Sequence, residues 1–347
     1  MSKLSWFNKM MFFLNIALAV LTIIAYALPF LAPKLFPGLS VLTLILPLFL
    51  ILNALFFVYW AIQLRRQVFL SAVVLLFGMT FINKFYRFSS AELPEHEQDF
   101  TVMSYNVRLF NLFEWLPGQV PDTIRTFIND LNPDIVCLQE YSKNGNVELK
   151  AYRYRHISLN GDKIRSGHGI FSKFPIIDQG LIAFPNSSNS AAFADIKKGV
   201  DTIRVYSIHL QSVKITPDVD EINQDASKID QKRSEMIFRR VTKAFREQQH
   251  QAEIVMEHRK SSPYPVIICG DMNNSAFSYV YRSIKGDLDD AFEEGGNGFG
   301  QTYNFRYYPA RIDYIFIDKS IKVKSFRNYP DFRNSDHYPI VARLQFK

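Results

Sequence analysis

Acidic side chains are missing from the first quarter of this chain: the first of its 33 aspartates and glutamates is Glu92. Only seven Lys/Arg fall within residues 1–98. Met11–Ala32 and Leu39–Gln63 carry no formal charge, and each exceeds the roughly 20 residues a helix needs to cross a bilayer. A soluble single-domain protein is thereby excluded. No acid or base lies inside these runs to mark an ion path, so they read as an anchor rather than a transporter. No small-residue cleavage site stands out and more apolar helix follows, which argues against a cleaved leader. Cysteine is scarce too. Cys137 and Cys269 are the only two, too few for a disulfide framework or a cysteine metal cluster. Both lie in apolar strand-like segments and read as small buried hydrophobes.

The third apolar run, Val68–Ile82, is 15 residues long and rises only about 22 Å. It spans if Lys84, Tyr86 and Arg87 reach to the headgroups; a buried or interfacial helix is the alternative. The anchor is thus expected over 1–88, with spans at about 11–32, 39–63 and 68–86. Pro47 is expected to kink the second. Lys3, Lys9, Arg65 and Arg66 would share one side of the membrane, and Lys34, Lys84 and Arg87 the other. Four against three favours a cytoplasmic N-terminus. The chain then reads as a multi-pass membrane protein with its C-terminal domain on the extracytoplasmic side. A polar linker, 89–98, precedes that domain, 99–347.

The domain is charged like a globular one, with 33 basic and 30 acidic groups among its 249 residues. That near balance removes the force of the overall +7 as a nucleic-acid signal. Strands are expected at Thr101–Asn106 (running on to Arg108), Ile135–Leu138, Gly169–Ser172, Ile176–Ala183, Ala191–Ile196, Thr202–His209, Pro265–Cys269, Arg311–Ile317 and Ile340–Gln345. A helix follows Pro121-Asp122, with Ile124, Phe127, Ile128 and Leu131 at helical spacing. A longer one is expected over Ser227–Met256, with Met236, Ile237, Val241, Ala244 and Phe245 as its apolar stripe. Many strands with few helices point to layered α/β packing.

Polar residues recur at the ends of the apolar strands: Asn106, Glu140, His209, Asp271, Asn273, Asp313 and the pair Asp336-His337. Singly, each is an ordinary strand-ending or turn residue; together they describe one chemistry. Glu140, Asn106 and Asp336 make an all-oxygen set suited to a hard cation. His337, with Asp313 to orient its ring, suits a general base acting on water. Asp271 and Asn273 at i, i+2 point the same way off an extended segment and can reach one phosphate or one water. His209 can donate to a phosphoryl oxygen. The sum is metal-assisted hydrolysis of a phosphate ester.

The ordered segments SYNVR, PDIVCLQE, GHGIFSKFPI, YSIHL, ICGDMN, RIDYIF and NSDHYPI closely resemble the endonuclease/exonuclease/phosphatase family over about residues 100–346. The resemblance implies an α/β fold, a four-layered α/β/β/α sandwich, here preceded by about three transmembrane helices. It implies Glu140, Asn106 and Asp336 at the metal site, with magnesium (or manganese) as the cofactor. His337 resembles the base and Asp313 its partner. Asp271 and Asn273 resemble the residues that orient water and phosphate, and His209 the phosphate-contacting histidine.

Arg108 stands where some members carry an acid, which argues against a second metal near Asn106. His168 lies near a stretch that lines the site in relatives, with a satisfied structural histidine as the other reading. Lys232, Arg239, Lys243 and Arg246 share one helix face that reads as solvated, or as meeting phosphate backbone or anionic lipid. The segment Phe299–Tyr308 either shapes the substrate path or packs. The leading expectation is a membrane-anchored phosphodiesterase of nuclease-like type. A phospholipid phosphodiesterase or small-molecule phosphatase is the alternative, and a catalytically silent binding module the reading from another class. The partners implied are a phosphoester substrate, nucleic acid or phospholipid, and the lipid bilayer; no protein partner is evident.

Overall fold

In a computed structural model of the chain, the described residues are 4–88, 93–161, 164–213, 231–306 and 308–347. Lys3, the first four residues of the linker (89–92), the helix start at 227–230 and Tyr307 lie outside them.

Three apolar helices come first: α1 (Trp6–Ala27), α2 (Leu42–Ile62) and α3 (Val68–Phe85), each long and apolar enough to cross a membrane. α1 begins and ends five residues earlier than expected. Ser5 Oγ caps its start by accepting from the Asn8 N–H (3.2 Å), and Pro29 turns its end into a short 3-10 segment, Leu28–Phe30. α2 runs on through Pro47. Neutral polar side chains join the helices: Asn15 Nδ2 donates to Ser71 Oγ (2.9 Å), Trp60 Nε1 to Asn15 Oδ1 (3.0 Å) and Asn53 Nδ2 to Thr22 Oγ1 (2.9 Å). In a medium without water such bonds hold a bundle together.

Among the described residues, the remainder is built on two six-stranded sheets, with a two-residue pairing of Tyr86–Arg87 and Gly298–Phe299 beside them. Twelve strands run in chain order: β1 (Phe100–Asn106), β2 (Ile135–Tyr141), β3 (Tyr154–Asn160), β4 (Ser166–Ser172), β5 (Ile176–Ala183), β6 (Ser190–Lys198), β7 (Asp201–His209), β8 (Val266–Asp271), β9 (Asp289–Asp290), β10 (Asp313–Ile317), β11 (Ile321–Asn328) and β12 (Ile340–Phe346). The sheet orders are β11-β12-β1-β2-β4-β3 and β9-β10-β8-β7-β6-β5. Each has one parallel pair at its centre, β1 with β2 and β7 with β8. Each pair is joined by a helical crossover: α4 (Val120–Leu131) and α5 (Gln231–Lys260).

Strand alternation sends Val102, Ile135 and Cys137 of one sheet toward Val205, Ile267 and Cys269 of the other, making the inter-sheet core. The opposite faces bury Met103, Tyr105, Val136 and Leu138 under Ile124 and Ile128 of α4. Tyr206, Ile208 and Ile268 are buried under Ala252 and Val255 of α5 and under Val280 and Ile284 of α6 (Tyr279–Lys285). The expected α/β/β/α sandwich is therefore the fold. Both cysteines are free and buried in the central core. Met236 departs from its expected place: it is exposed rather than part of the buried stripe.

β7 and β8 approach closely where Gly270 precedes Asp271. Gly270 has φ +132°, and an added Cβ would lie 2.1 Å from the Ile208 carbonyl oxygen. Gly270→Ala is expected to cost about 3 kcal/mol or more. In the detergent-solubilised protein, that should appear as a fall of roughly 6–12 °C in the thermal midpoint.

Candidate active site

Strand register gathers the chemistry at one end of the sandwich. His209 pairs with Asp271, and Asp271 with Asp313. Asn106 ends β1 beside Gln139 of β2, and His337 lies just before β12, whose Ile340 pairs with Ser104 of β1. Glu140 has φ 48° at a register shift between Leu138 and Tyr141. A bulge of this kind re-aims a side chain.

All eight residues singled out in the sequence lie in this cluster, and Asp271 is its hub. Its Oδ2 accepts from Asn106 Nδ2 (3.1 Å) and Asn273 Nδ2 (3.1 Å) and lies 3.6 Å from both His209 Nε2 and His337 Nε2. Asn106 Nδ2 also donates to Glu140 Oε1 (3.3 Å), which is 3.7 Å from His209 Nε2. His337 Nδ1 faces both oxygens of Asp313 at 3.2 and 3.0 Å. Ser335 Oγ donates to the Asn106 carbonyl (2.9 Å), which brings the Asp336 loop to β1. The Asp271–Asn273 geometry differs from the extended i, i+2 expectation. Asn273 is left-handed (φ 50°) and its N–H donates to Asp271 Oδ1 (2.8 Å), so the two side chains meet across a tight turn.

Arg108 begins four successive left-handed residues, Arg108, Leu109, Phe110 and Asn111. Such backbone persists only where its surroundings over-determine it. Here Phe110 is buried, and Asn111 exchanges hydrogen bonds with the backbone of Leu116 (2.7 and 2.9 Å). The turn sets the Arg108 guanidinium over the Trp115 ring, 4.3 Å from its centroid, and 3.4 Å from Asp336. The aromatic segment is a support: Tyr303 meets the His337 ring edge-on at 4.9 Å, and Thr302 Oγ1 accepts from the Asp313 N–H (3.0 Å).

His168 is a structural histidine. It is buried beneath the cluster, joining Ser207 Oγ (3.0 Å) and the Ser190 carbonyl (2.9 Å). Ser207 also accepts from Gln139 Nε2 (2.9 Å), and this polar chain ties the two sheets. Gln139 and Ser207 carried no sequence signal beyond being polar within apolar strands.

Burial pushes the Asp271 carboxyl up to about 8, with Asp313 adding to it, and also raises Glu140. Burial alone would lower His337, but Asp313, Asp271 and Asp336 outweigh it and hold the imidazole well above its usual range. Four carboxylates thus face one another with Arg108 the only arginine paired to them among the described residues. Such a surplus of hard, negative oxygen suits a divalent cation. The ligand atoms of Asp271, Asp313 and His337 lie within 4.8 Å of one another, and Glu140 and Asp336 offer oxygens beside them, while Asn106 turns its Nδ2 to Glu140 and Asp271 and its Oδ1 accepts from the Arg108 N–H (3.0 Å).

Burial depresses His168 to about 3 and His209 to about 4. Both are neutral in the folded protein, while the unfolded chain takes up protons below about 6.5. The stability they contribute is therefore fully present above that pH and is lost as pH falls toward 4. His168 alone corresponds to about 3 kcal/mol by pH 4. Denaturant unfolding of wild type and His168→Gln across pH 4–7 checks this: the variant's stability should fall less steeply.

Residues 103–337 match the endonuclease/exonuclease/phosphatase family. The chain belongs to this family. Its enzymes hydrolyse phosphoester bonds, generally with a divalent metal, and the chain is a phosphoesterase by membership. Residues 8–85 match a second family, a domain of unknown function. No curated protein matches the chain in sequence. Solved structures sharing the fold include the human Nocturnin catalytic domain with bound sulfate anion, with 17% identity and TM-score 0.53, covering 73% of this chain and 95% of that one. The mannosyl-6-phosphatase of Bacteroides thetaiotaomicron has 20% identity and TM-score 0.52, over 71% of this chain and all (100%) of that one. D. rerio TDP2 complexed with single strand DNA product has 18% identity and TM-score 0.52, over 72% and 100%.

Proposed function

We propose that the chain is a membrane-anchored, divalent-metal-dependent phosphoesterase, with residues 1–88 as anchor and 99–347 as catalytic domain. The observation that carries the reading is the Asp313–His337 pair (3.0 Å) facing Asp271 (3.6 Å), which Asn106 (3.1 Å) links in turn to Glu140 (3.3 Å) beside His209 (3.7 Å). With Nδ1 tied to Asp313, His337 in its neutral form presents Nε2 to take a proton from water. The water oxygen bonds to phosphorus, the ester P–O bond breaks, and the leaving oxygen is protonated from solvent. Asp271 and Asn273 orient the water. His209, kept neutral by burial, donates an N–H to a phosphoryl oxygen. Glu140, Asn106 and Asp336 would hold the cation, because an ion among Asp271, Asp313 and His337 would consume the hydrogen bond that orients the base. When bound, magnesium or manganese supplies positive charge against the phosphoryl oxygens.

The basic residues Lys9, Arg65 and Arg66 lie at the helix ends away from the catalytic domain, which supports a cytoplasmic N-terminus and an extracytoplasmic site. The structural neighbours run from a protein complexed with single strand DNA product to a mannosyl-6-phosphatase, which supports phosphoester chemistry over any one substrate. A phosphoester panel on the full chain, with and without magnesium, tests the reading. Hydrolysis that ignores chelator would refute it.

A further inference from the structure

The end of the sandwich that carries the candidate site is also the end that meets the apolar helices. Beyond His209, the Gln211 N–H donates to Gln251 Oε1 (2.8 Å), and Val213 packs with Val41 and Leu44. Beyond Asp271, the Asn273 carbonyl accepts from Gln248 Nε2 (3.1 Å). Ser275 Oγ then donates to the Thr43 carbonyl (3.4 Å), and Phe277 sits among Leu28, Leu46 and Phe81. Thr43 is the residue whose helical acceptor role is vacated by Pro47, which has no N–H to offer it. The Lys34 N–H donates to Gln249 Oε1 (2.9 Å). Three buried glutamines of α5 thus join both site loops and the helical hairpin into one body.

These contacts fix the depth of the site. The 21 residues of α2 rise about 31 Å, against a hydrocarbon core of about 30 Å. The helix has no length to spare, so Thr43, in its first turn, stands at the hydrocarbon boundary. The end of α3 stands there too, where the Lys84 carbonyl accepts from Arg311 Nη2 (3.0 Å). Asn273 and Ser275 are separated by at most about 7 Å of chain. The site therefore lies within roughly 15 Å of the hydrocarbon, close to headgroup depth.

The neighbouring surface has a matching character. Phe238 lies against Gly38 of the hairpin. Met236 and Phe238 are 50% and 47% exposed, among exposed Lys232, Arg239 and Lys243. Exposed apolar side chains among lysines and arginines describe a helix lying at a lipid interface. The Arg108 rim also carries exposed Phe113 and Trp115.

We infer that the substrate is an amphiphile, a phosphoester carried on a lipid in the leaflet beside the catalytic domain. This rests on the phosphoesterase reading and names its substrate class. The near balance of charge over 99–347 disfavours a nucleic acid, whose binding leans on phosphate-directed charge. The bond changes are those already given: water oxygen to phosphorus, ester P–O bond broken, the water's proton to His337.

The test uses the full chain in phosphatidylcholine/phosphatidylglycerol vesicles with magnesium. Two diesters share one leaving group: hexadecyl p-nitrophenyl phosphate, which enters the bilayer, and methyl p-nitrophenyl phosphate, which does not. The hexadecyl ester is expected to be turned over with a kcat/KM about 100-fold higher. That advantage should shrink as inert phosphatidylcholine dilutes the ester at constant bulk concentration. Met236→Glu with Phe238→Glu should lower hexadecyl turnover about fivefold or more and leave methyl turnover unchanged. Equal turnover of the two esters, or faster turnover of an oligonucleotide, overturns the inference and leaves the phosphoesterase reading standing. No turnover of any of them overturns that reading itself.

Discussion

His337→Ala is expected to lower kcat on a phosphodiester by about 10³-fold, with KM changed far less. The expectation follows from how the ring is held. Asp313 fixes Nδ1, Thr302 fixes the Asp313 backbone, and Tyr303 meets the ring edge-on. Nε2 is left facing Asp271 Oδ2 at 3.6 Å. In the proposed base role, removing the imidazole takes away a proton acceptor used in the transition state, so kcat and kcat/KM should fall together. Asp313→Asn leaves the ring but not its orienting charge and should cost less, about 10²-fold. It should also lower the imidazole's pKa, because Asp313 is the strongest of the groups raising it. In the pH–rate profile the acidic limb, along which the base loses its proton, should then move to lower pH. Circular dichroism on both variants separates lost chemistry from lost folding. Retention of a third or more of wild-type kcat in His337→Ala would remove His337 from the base role.

The parts of the fold legible in the sequence are those where a single face decides the pattern. β8 opens on the continuous apolar run VIIC because both of its faces are buried, and β7 (DTIRVYSIH) is interrupted only by Arg204 and Ser207 within its buried stretch. Of the three strands not anticipated, β9 is only two residues long, and β3 (YRHISLN) and β11 (IKVKSFRN) are the edge strands of one sheet. Their lysines and arginines blunt an exposed edge, which erases the alternation that would announce a strand. α6 is seven residues long, too short for helical periodicity to register. The site was legible as polar residues ending apolar strands, but its supports were not. Gln248, Gln249 and Gln251 carry no apolar signal, yet they are buried between the site loops and the segment joining α1 to α2. The Arg311–Asp290 ion pair (2.7 Å) is buried beneath Tyr281, Phe292 and Tyr314; charge in sequence gives no notice of such burial. Nor does the left-handed turn at 108–111, which contains no glycine. Its conformation is imposed by what Phe110 and Asn111 contact, not by local preference.

Glu140→Gln should move stability and activity in opposite directions. The carboxylate lies in a left-handed bulge, desolvated, with Asp336 nearby, and burial raises its pKa. Removing that charge relieves a cost the folded protein bears without metal, so the metal-free variant should be at least as stable as wild type. Its hydrolytic rate should nonetheless fall by about 10³-fold if Glu140 holds the cation that stabilises the transition state. Metal titration gives a readout independent of turnover. A ligand bound only by the native state stabilises by about 2.7 kcal/mol at 100 times its Kd. Magnesium should therefore raise the thermal midpoint of wild type by several degrees and that of Glu140→Gln much less. Chelation should abolish wild-type hydrolysis, and magnesium or manganese should restore it. A merely structural glutamate would show the reverse pattern: stability lost on substitution, with the magnesium-induced shift intact. That outcome would move the cation to the Asp271, Asp313 and His337 cluster and leave the His337–Asp313 hydrogen bond as its competitor.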